Sequence, residues 1–117
     1  MKINGTWRSS SGSTLKIKEK KGIISGTYQL GKGKTTKPHE INGCIDPDEN
    51  AKVRPLSFSV AWMDKKGKSA HSVTAYTGQL NARGKKPNME VVFLIANDKL
   101  PLWRGTGISY ENYEKVG

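Results

Sequence analysis

The stretch that decides the fold is residues 55–80, which read PLSFSVAWMDKKGKSAHSVTAYTGQL. Its first half alternates, and one face of it carries Leu56, Phe58, Val60 and Trp62. A period of two is typical of a β-strand. After a turn rich in Lys and Gly, one face of the second half carries Ser72, Thr74 and Tyr76. The stretch predicts a hairpin that pairs an aromatic wall with hydroxyl groups, and a closed sheet around them would have the make-up of a small-molecule site.

The remainder of the chain continues this pattern of short strands. Turn signals such as Lys21-Gly22 and Asp46-Pro47-Asp48 separate runs rich in Thr, Val, Ile, Tyr and Trp, and no long run has helical spacing. Such a pattern is typical of a sandwich or an up-and-down barrel. We predict eight strands, at residues 5–8, 14–20, 23–30, 39–44, 56–63, 69–80, 89–96 and 103–113. Eight strands closed into a barrel leave room for side chains or one small ligand.

Length and composition limit the possible classes of protein. The chain has 117 residues, which predicts a single domain over 1–117. No apolar run approaches the length of a membrane span and none resembles a signal peptide, whereas a signal removed ahead of Met1 would imply secretion, so the compartment stays open. Because Cys44 is the only cysteine, an internal disulfide is excluded, and we expect a buried, unreactive thiol.

The formal net charge of +10 suggests binding to nucleic acid or another polyanion. The positions of the lysines favour another interpretation. Lys16, Lys18 and Lys20 alternate with apolar residues and so predict the solvent face of a strand, while most other lysines fall in turns. No aromatic residues interleave with them to stack on bases. We expect a solvated basic surface, with polyanion binding as the alternative.

The predicted strand at 89–96 is apolar on both faces. One face carries Met89, Val91, Phe93 and Ile95, and the opposite face carries Val92 and Leu94. A barrel wall needs an apolar surface only on its inner side, so the second apolar face predicts contact with another subunit. The alternative is that a loop of the same chain covers this face.

The sequence offers little for catalysis. It shows no nucleophile with a base and no paired carboxylates, and His39 and His71 have no Cys, Asp or Glu at ligand spacing, so we expect structural or surface histidines. The segment 31–35 superficially matches a phosphate-binding loop but lacks the required spacing and the following helix. We therefore expect no enzymatic activity, no catalytic residues, no metal and no cofactor.

A succession of short motifs resembles the avidin and streptavidin family over nearly the whole chain. These motifs are Gly5-Thr6-Trp7, Ser11-Gly12-Ser13, Ser25-Gly26-Thr27-Tyr28, Phe58-Ser59-Val60-Ala61-Trp62, residues 71–79, residues 89–95 and Trp103-Arg104-Gly105-Thr106. The resemblance implies an all-β, eight-stranded antiparallel up-and-down barrel that binds biotin in its lumen. It also implies a homo-oligomer, either a dimer or a tetramer, with Trp103 crossing an interface.

The resemblance also implies ligand roles for individual polar residues. Ser13 and Tyr28 stand where the family binds the ureido oxygen of biotin, and Glu111 stands where it accepts a ureido N–H. Thr74 stands at the position for the thioether sulfur, and Ser72 at the position for the valerate carboxylate. A urea group needs donors at its oxygen and acceptors at its nitrogens, so this set is chemically consistent.

Apolar and loop positions complete the predicted site. The family's aromatic cage falls on Trp62, Tyr76, Phe93 and, from a neighbouring subunit, Trp103, and Ile95 continues the same face as Phe93. Ser11 lies in the first ligand loop. Residues 31–37 occupy the place of the lid, where Thr35 or Thr36 is expected to donate to the carboxylate of the ligand; the alternative is a loop without a ligand role.

Several positions depart from the family pattern. Ser9 replaces a longer Asn donor, Leu30 replaces a Ser or Thr acceptor, Tyr76 and Phe93 replace tryptophans, and Glu111 replaces a shorter Asp or Asn. One hydrogen bond lost in a dry pocket costs about 1–3 kcal/mol. We therefore expect weaker biotin binding than in the tightest members, and the alternative is a pocket that binds a different small molecule or none.

Overall fold

Eight β-strands, each paired with its neighbours in the chain, close into one antiparallel barrel. The computed structural model describes residues 1–31, 37–63, 71–98 and 108–117. The strands are β1 Gly5–Ser9, β2 Thr14–Lys20, β3 Ile23–Gln29, β4 His39–Ile45, β5 Val53–Ala61, β6 Ser72–Asn81, β7 Asn88–Asn97 and β8 Ile108–Lys115. The barrel closes where β8 pairs with β1, from Trp7 opposite Lys115 to Ser9 opposite Tyr113. The predicted all-β, up-and-down architecture is confirmed.

Most predicted strands match the observed ones within a few residues. Two parts of the predicted strands, residues 69–70 and 103–107, lie outside the described residues. β5 begins earlier than predicted, at Val53, and contains Pro55. The Pro55 carbonyl accepts from the Asp46 N–H and therefore points to the β4 side of the strand. The N–H and the carbonyl of a strand residue point to the same side, so the N–H that proline lacks would also face β4. Pairing between β4 and β5 ends at Ile45 opposite Leu56. Proline is tolerated there because no strand partner remains on that side.

The turn between β2 and β3 needs left-handed backbone at two positions. Lys21 has φ 50° and Gly22 has φ 84°, which is typical of the two-residue hairpin turn whose twist matches the flanking strands. This turn fixes the register in which Lys20 pairs with Ile23 and Leu15 pairs with Tyr28. The hairpin thereby places Tyr28 on the inner face of the barrel.

Inward-facing residues fill the barrel from its closed end to its middle. The end that holds the chain termini is closed by Ile3 and Trp7, both fully buried, and the Trp7 indole N–H donates to the Ile3 carbonyl at 2.9 Å. Further along, Leu15, Ile17, Val60 and Leu80 are buried in the same core. Among the described residues, buried apolar side chains thus fill this end of the barrel, and the interior cavity lies towards the other end.

A buried ion pair stabilises the closed end. Arg54 is 1% exposed and lies 2.9 Å from the carboxylate of Glu19, whose side chain is 4% exposed. Its guanidinium also donates to the carbonyls of Asp46 and Met1. Burial of both charges is tolerated because four of the five N–H groups of the guanidinium donate to these acceptors, although the second oxygen of Glu19 has no hydrogen-bond partner within the described residues.

Cys44 is exposed, so the expectation of a buried thiol was wrong. Ile41 and Ile45 point from β4 into the core of the barrel. The alternation of the strand therefore turns the side chain of Cys44 outward, where its sulfur lies 3.7 Å from the Ser57 hydroxyl. Alternation outweighs the usual preference of cysteine for burial at this position.

Two exposed surfaces of the barrel have different chemistry. Lys16, Lys18 and Lys20 are exposed on β2, as predicted for a solvent face. On β7, Val92 and Leu94 are 42% and 44% exposed, and no described loop covers them. Among the described residues no helix is long and apolar enough to cross a membrane.

Candidate functional site

A cavity of about 390 Å³ opens at the end of the barrel opposite the termini. It lies inside the barrel, near the connections that follow β1, β3, β5 and β7. Its lining consists of Ser11, Ser13, Tyr28, Leu30, Trp62, Ser72, Thr74, Tyr76, Phe93, Ile95 and Glu111. The barrel therefore brings together side chains that are up to a hundred residues apart in the sequence.

The strand alternation explains most of this lining. Ser72, Thr74 and Tyr76 follow one another on the inner face of β6, beside Trp62, which directly follows β5. Phe93 is half-buried, whereas Ile95 is 42% exposed because it lies nearer the rim. Exposure thus increases towards the mouth of the cavity.

One side of the cavity is a cluster of serine hydroxyls around a carboxylate. Ser9 is 5% exposed, and its hydroxyl lies 2.9 Å from that of Ser11 and accepts from the Ser13 N–H at 3.0 Å. Ser10 and Ser11 donate to the two oxygens of Glu111, at 3.0 and 3.1 Å. Ser9 therefore supports the lining from just behind it, and Glu111 joins β8 to the loop that follows β1.

The floor of the cavity is a stack of aromatic rings. Tyr28 lies parallel to Tyr76, with ring centroids 5.4 Å apart, and Tyr76 lies parallel to Phe58 at 4.7 Å. Phe93 is tilted against Tyr76 at 5.3 Å. These offset contacts stabilise the rings against one another and give the site a rigid apolar wall.

Trp62 forms the adjoining wall and is 7% exposed. Its indole N–H donates to the Thr74 hydroxyl at 2.7 Å, and its ring meets Tyr28 edge-on at 5.6 Å. His39 packs against the other side of the indole, with centroids 5.1 Å apart. The Thr74 hydroxyl and the rings of Tyr28 and His39 therefore help to fix the orientation of Trp62.

A second tyrosine lies behind Tyr28. The Tyr113 ring is fully buried and perpendicular to that of Tyr28, and the two hydroxyl oxygens are 2.6 Å apart. Burial raises the pKa of Tyr28, and hydrogen bonds with Tyr113, Tyr76 and Ser13 offset part of that rise. Burial is the largest cause that raises the pKa of Tyr76 and of Tyr113, and the neighbouring Tyr28 is the next largest cause. All three phenols therefore remain neutral hydrogen-bonding groups at physiological pH.

The predicted site residues that the structure describes all lie in or directly against the cavity, and Thr35 and Trp103 lie outside the described residues. Sequence reasoning missed Phe58 as a stacking partner, His39 as a support for Trp62, and Tyr113. The signal for Tyr113 was its position two residues after Glu111, on the same face of β8. His39 begins β4 opposite Tyr28, a pairing that no local pattern specifies.

The cavity combines hydroxyl groups and one carboxylate with aromatic rings. Within the described part of the lining, Glu111 is the only charged side chain, and the other polar side-chain groups are hydroxyls and the indole N–H of Trp62. Among the described residues no group of three or more His, Cys, Asp or Glu side chains is placed to hold a metal ion. Hydroxyl donors and one carboxylate acceptor above an aromatic floor suit a small ligand that combines an amide-like group with an apolar body.

The chain thus forms a closed eight-stranded barrel with an aromatic-floored cavity at one end. A family model described as the avidin family matches residues 1–115, and the chain therefore belongs to the avidin family. A comparison with curated proteins found no match.

Proposed function

We propose that this protein binds biotin, without catalysis, in the cavity at the open end of the barrel. The observation that carries the proposal is the composition of one cavity: the described residues that the family resemblance implies for the ligand converge there from four strands, β3, β6, β7 and β8, and from the connections after β1, β3 and β5. Membership of the avidin family, a family of binding proteins, supports the same function.

The bound orientation follows from the polar groups. The ureido group lies among Ser13, Tyr28 and Glu111, where hydroxyl donors face its oxygen and the carboxylate faces an N–H. The fused rings rest on Tyr76 and against Trp62, and the tail extends towards the rim. The cavity of about 390 Å³ is within the range for a ligand of this size.

Three features reduce the affinity in this proposal. Leu30 offers no acceptor for the second ureido N–H, which costs about 1–3 kcal/mol, or roughly tenfold in Kd for each 1.4 kcal/mol. Ser9 makes no hydrogen bond to the ligand in this proposal, because its hydroxyl is already bonded to the Ser11 hydroxyl and to the Ser13 N–H. Glu111 is already engaged by Ser10 and Ser11, so the ligand must share its oxygens with them.

Assembly into a homo-oligomer is part of the proposal. Val92, Leu94, Ile108 and Tyr110 are between 42% and 77% exposed on the outer face of β7 and β8. A shallow groove of about 320 Å³ runs over this face and reaches β4. A contiguous apolar surface of this kind is stabilised by a second subunit, which would bring Trp103 of a neighbour towards the cavity.

Thermal unfolding with added biotin tests the function. A ligand that binds only the folded protein raises Tm in a concentration-dependent way. Trp62→Ala should abolish the rise by removing a wall, while Ile23→Ala, at a residue 63% exposed on β3, should leave it unchanged. The absence of any rise at millimolar biotin would refute the proposal and leave a pocket for another molecule, or a vestigial one.

A further inference from the structure

The hydroxyl of Tyr113 is buried with a single neighbour. The side chain is 0% exposed, and within the described residues the hydroxyl of Tyr28, 2.6 Å away, is its one hydrogen-bond partner. Tyr113 itself does not line the cavity. The two rings are perpendicular with centroids 6.2 Å apart, so the pair cannot separate without moving the floor of the site.

The number of protons fixes the direction of this hydrogen bond. Each phenol has one O–H, and a buried donor left without an acceptor is strongly unfavourable. Tyr113 can give its proton only to Tyr28, whereas Tyr28 can turn its own proton towards Ser13, Tyr76 or the cavity. The arrangement that satisfies both groups therefore has Tyr113 donating and Tyr28 accepting.

We propose that Tyr113 is a positioning residue that commits the Tyr28 hydroxyl to donate into the cavity, so that the site selects ligands with a carbonyl-type acceptor at this point. The inference rests on the proposed binding of biotin, whose ureido oxygen is such an acceptor. Since the Tyr28 oxygen already accepts from Tyr113, a ligand that presents an N–H there competes with that bond and faces the O–H of Tyr28 as a donor. Tyr113 thus acts on specificity through Tyr28.

The nearest charged group does not provide an alternative partner. Glu111 lies two residues before Tyr113 on the same face of β8, and its oxygens accept from Ser10 and Ser11. Donation in series also strengthens each bond, because accepting from Tyr113 polarises the O–H of Tyr28. The engagement of Glu111 by the two serines and the polarisation of the Tyr28 O–H therefore favour the same direction of donation, from Tyr113 to Tyr28 and from Tyr28 to the ligand.

A ligand-free experiment tests the hydroxyl pair. Tyr28→Phe leaves the buried O–H of Tyr113 without an acceptor and should lower Tm markedly, whereas Tyr113→Phe leaves Tyr28 with its other neighbours and should lower it less. Adding Tyr113→Phe to Tyr28→Phe should raise Tm again. If the second substitution lowers Tm further, Tyr113 has another partner and the proposal is overturned.

A ligand experiment tests the selection. Calorimetry is carried out on wild type, Tyr113→Phe and the control Ile23→Ala, at an exposed residue of β3, with biotin and with its guanidino analogue, in which NH replaces the ureido oxygen, at a pH where the guanidinium is protonated. Tyr113→Phe should weaken biotin about fivefold. The ratio of the Kd for the analogue to the Kd for biotin should fall by about tenfold or more in this variant, because the Tyr28 oxygen becomes free to accept from the N–H of the analogue. Glu111 is present in both wild type and Tyr113→Phe, so its attraction for the guanidinium does not contribute to the difference in preference between the two proteins.

The outcomes separate the two proposals. An unchanged preference in Tyr113→Phe, with biotin still bound, overturns the positioning role but leaves the proposed function intact. Failure of the wild type to bind biotin refutes the proposed function, and the Tm order of the three variants then decides whether the hydroxyl pair exists as described.

Discussion

Ser11 donates a hydrogen bond of 3.1 Å to the Glu111 carboxylate, and this bond joins the loop after β1 to the inner face of β8. Ser10 holds the other oxygen at 3.0 Å. The longer acid side chain therefore fits by turning its carboxylate towards the loop. A ligand N–H that approaches Glu111 meets an acceptor that two serines have already oriented.

Glu111→Gln should weaken biotin binding and leave the fold intact. The substitution keeps the size and one acceptor oxygen but removes the charge, and hydrogen bonds to charged groups contribute about 1.5–3 kcal/mol. We expect Kd measured by calorimetry to rise about tenfold to a hundredfold. Glu114→Gln, at an exposed position on the same strand, is the matched control and should change nothing. Equal effects of both variants would assign the loss to net charge.

Leu30→Thr should strengthen biotin binding. Leu30 is half-buried in the cavity lining, and a hydroxyl there supplies an acceptor that the second ureido N-H lacks. A net hydrogen bond of about 1 kcal/mol predicts a gain of about fivefold. Leu30→Val has the shape of threonine without the hydroxyl and is the control. If valine and threonine give the same Kd, Leu30 does not face the ureido group.

The alternation of single strands predicted most of the fold and most of the cavity lining. Phe58 and Tyr76, on neighbouring strands, were placed inward correctly because a period of two has only two faces. The same rule places Cys44 outward, as observed, whereas the expectation of a buried thiol followed the usual preference of cysteine for the core. The contact of Tyr28 with Tyr113 depends on barrel closure between residues 85 positions apart, which no local pattern contains.

The ion pair at the closed end should respond unequally to loss of its two partners. Arg54→Met leaves the Glu19 carboxylate buried without a counterion and should lower the free energy of unfolding by about 3–5 kcal/mol. Glu19→Gln should cost less, about 1–2 kcal/mol, because Arg54 retains the carbonyls of Asp46 and Met1. Urea unfolding of both variants measures the difference. Equal losses would mean that the pair is hydrated.

Stability should fall at alkaline pH because of three buried phenols. Burial raises the pKa of Tyr28, Tyr76 and Tyr113 above 10.0, so above about pH 10 the unfolded chain releases protons that the folded chain retains. Their contribution is fully present below about pH 10 and is lost as the pH rises through the folded values. Each phenol lowers the free energy of unfolding by about 1.4 kcal/mol per pH unit in that window.

Urea unfolding between pH 8 and 12 measures this dependence. Tyr113→Phe should reduce the slope above pH 10 by the share of one phenol, whereas Ile23→Ala, at a residue 63% exposed on β3, removes no phenol and should leave the slope unchanged. A flat profile through pH 11 would show that the buried tyrosines ionise as easily in the folded protein as in the unfolded chain.

Charges on the outer face of β7 should dissociate the proposed oligomer. Val92 and Leu94 lie on the same face of β7 and are both partly exposed, so Val92→Lys combined with Leu94→Lys would bury two unpaired cations per subunit in an interface there. Unpaired buried charges cost several kcal/mol, which weakens association about a thousandfold or more. Light scattering should show an oligomer for the wild type and a monomer for the double variant, with an unchanged β-sheet spectrum. Ile23→Lys, which adds a charge at an exposed apolar residue on β3, should remain an oligomer, and a monomeric wild type at micromolar concentration would contradict the prediction.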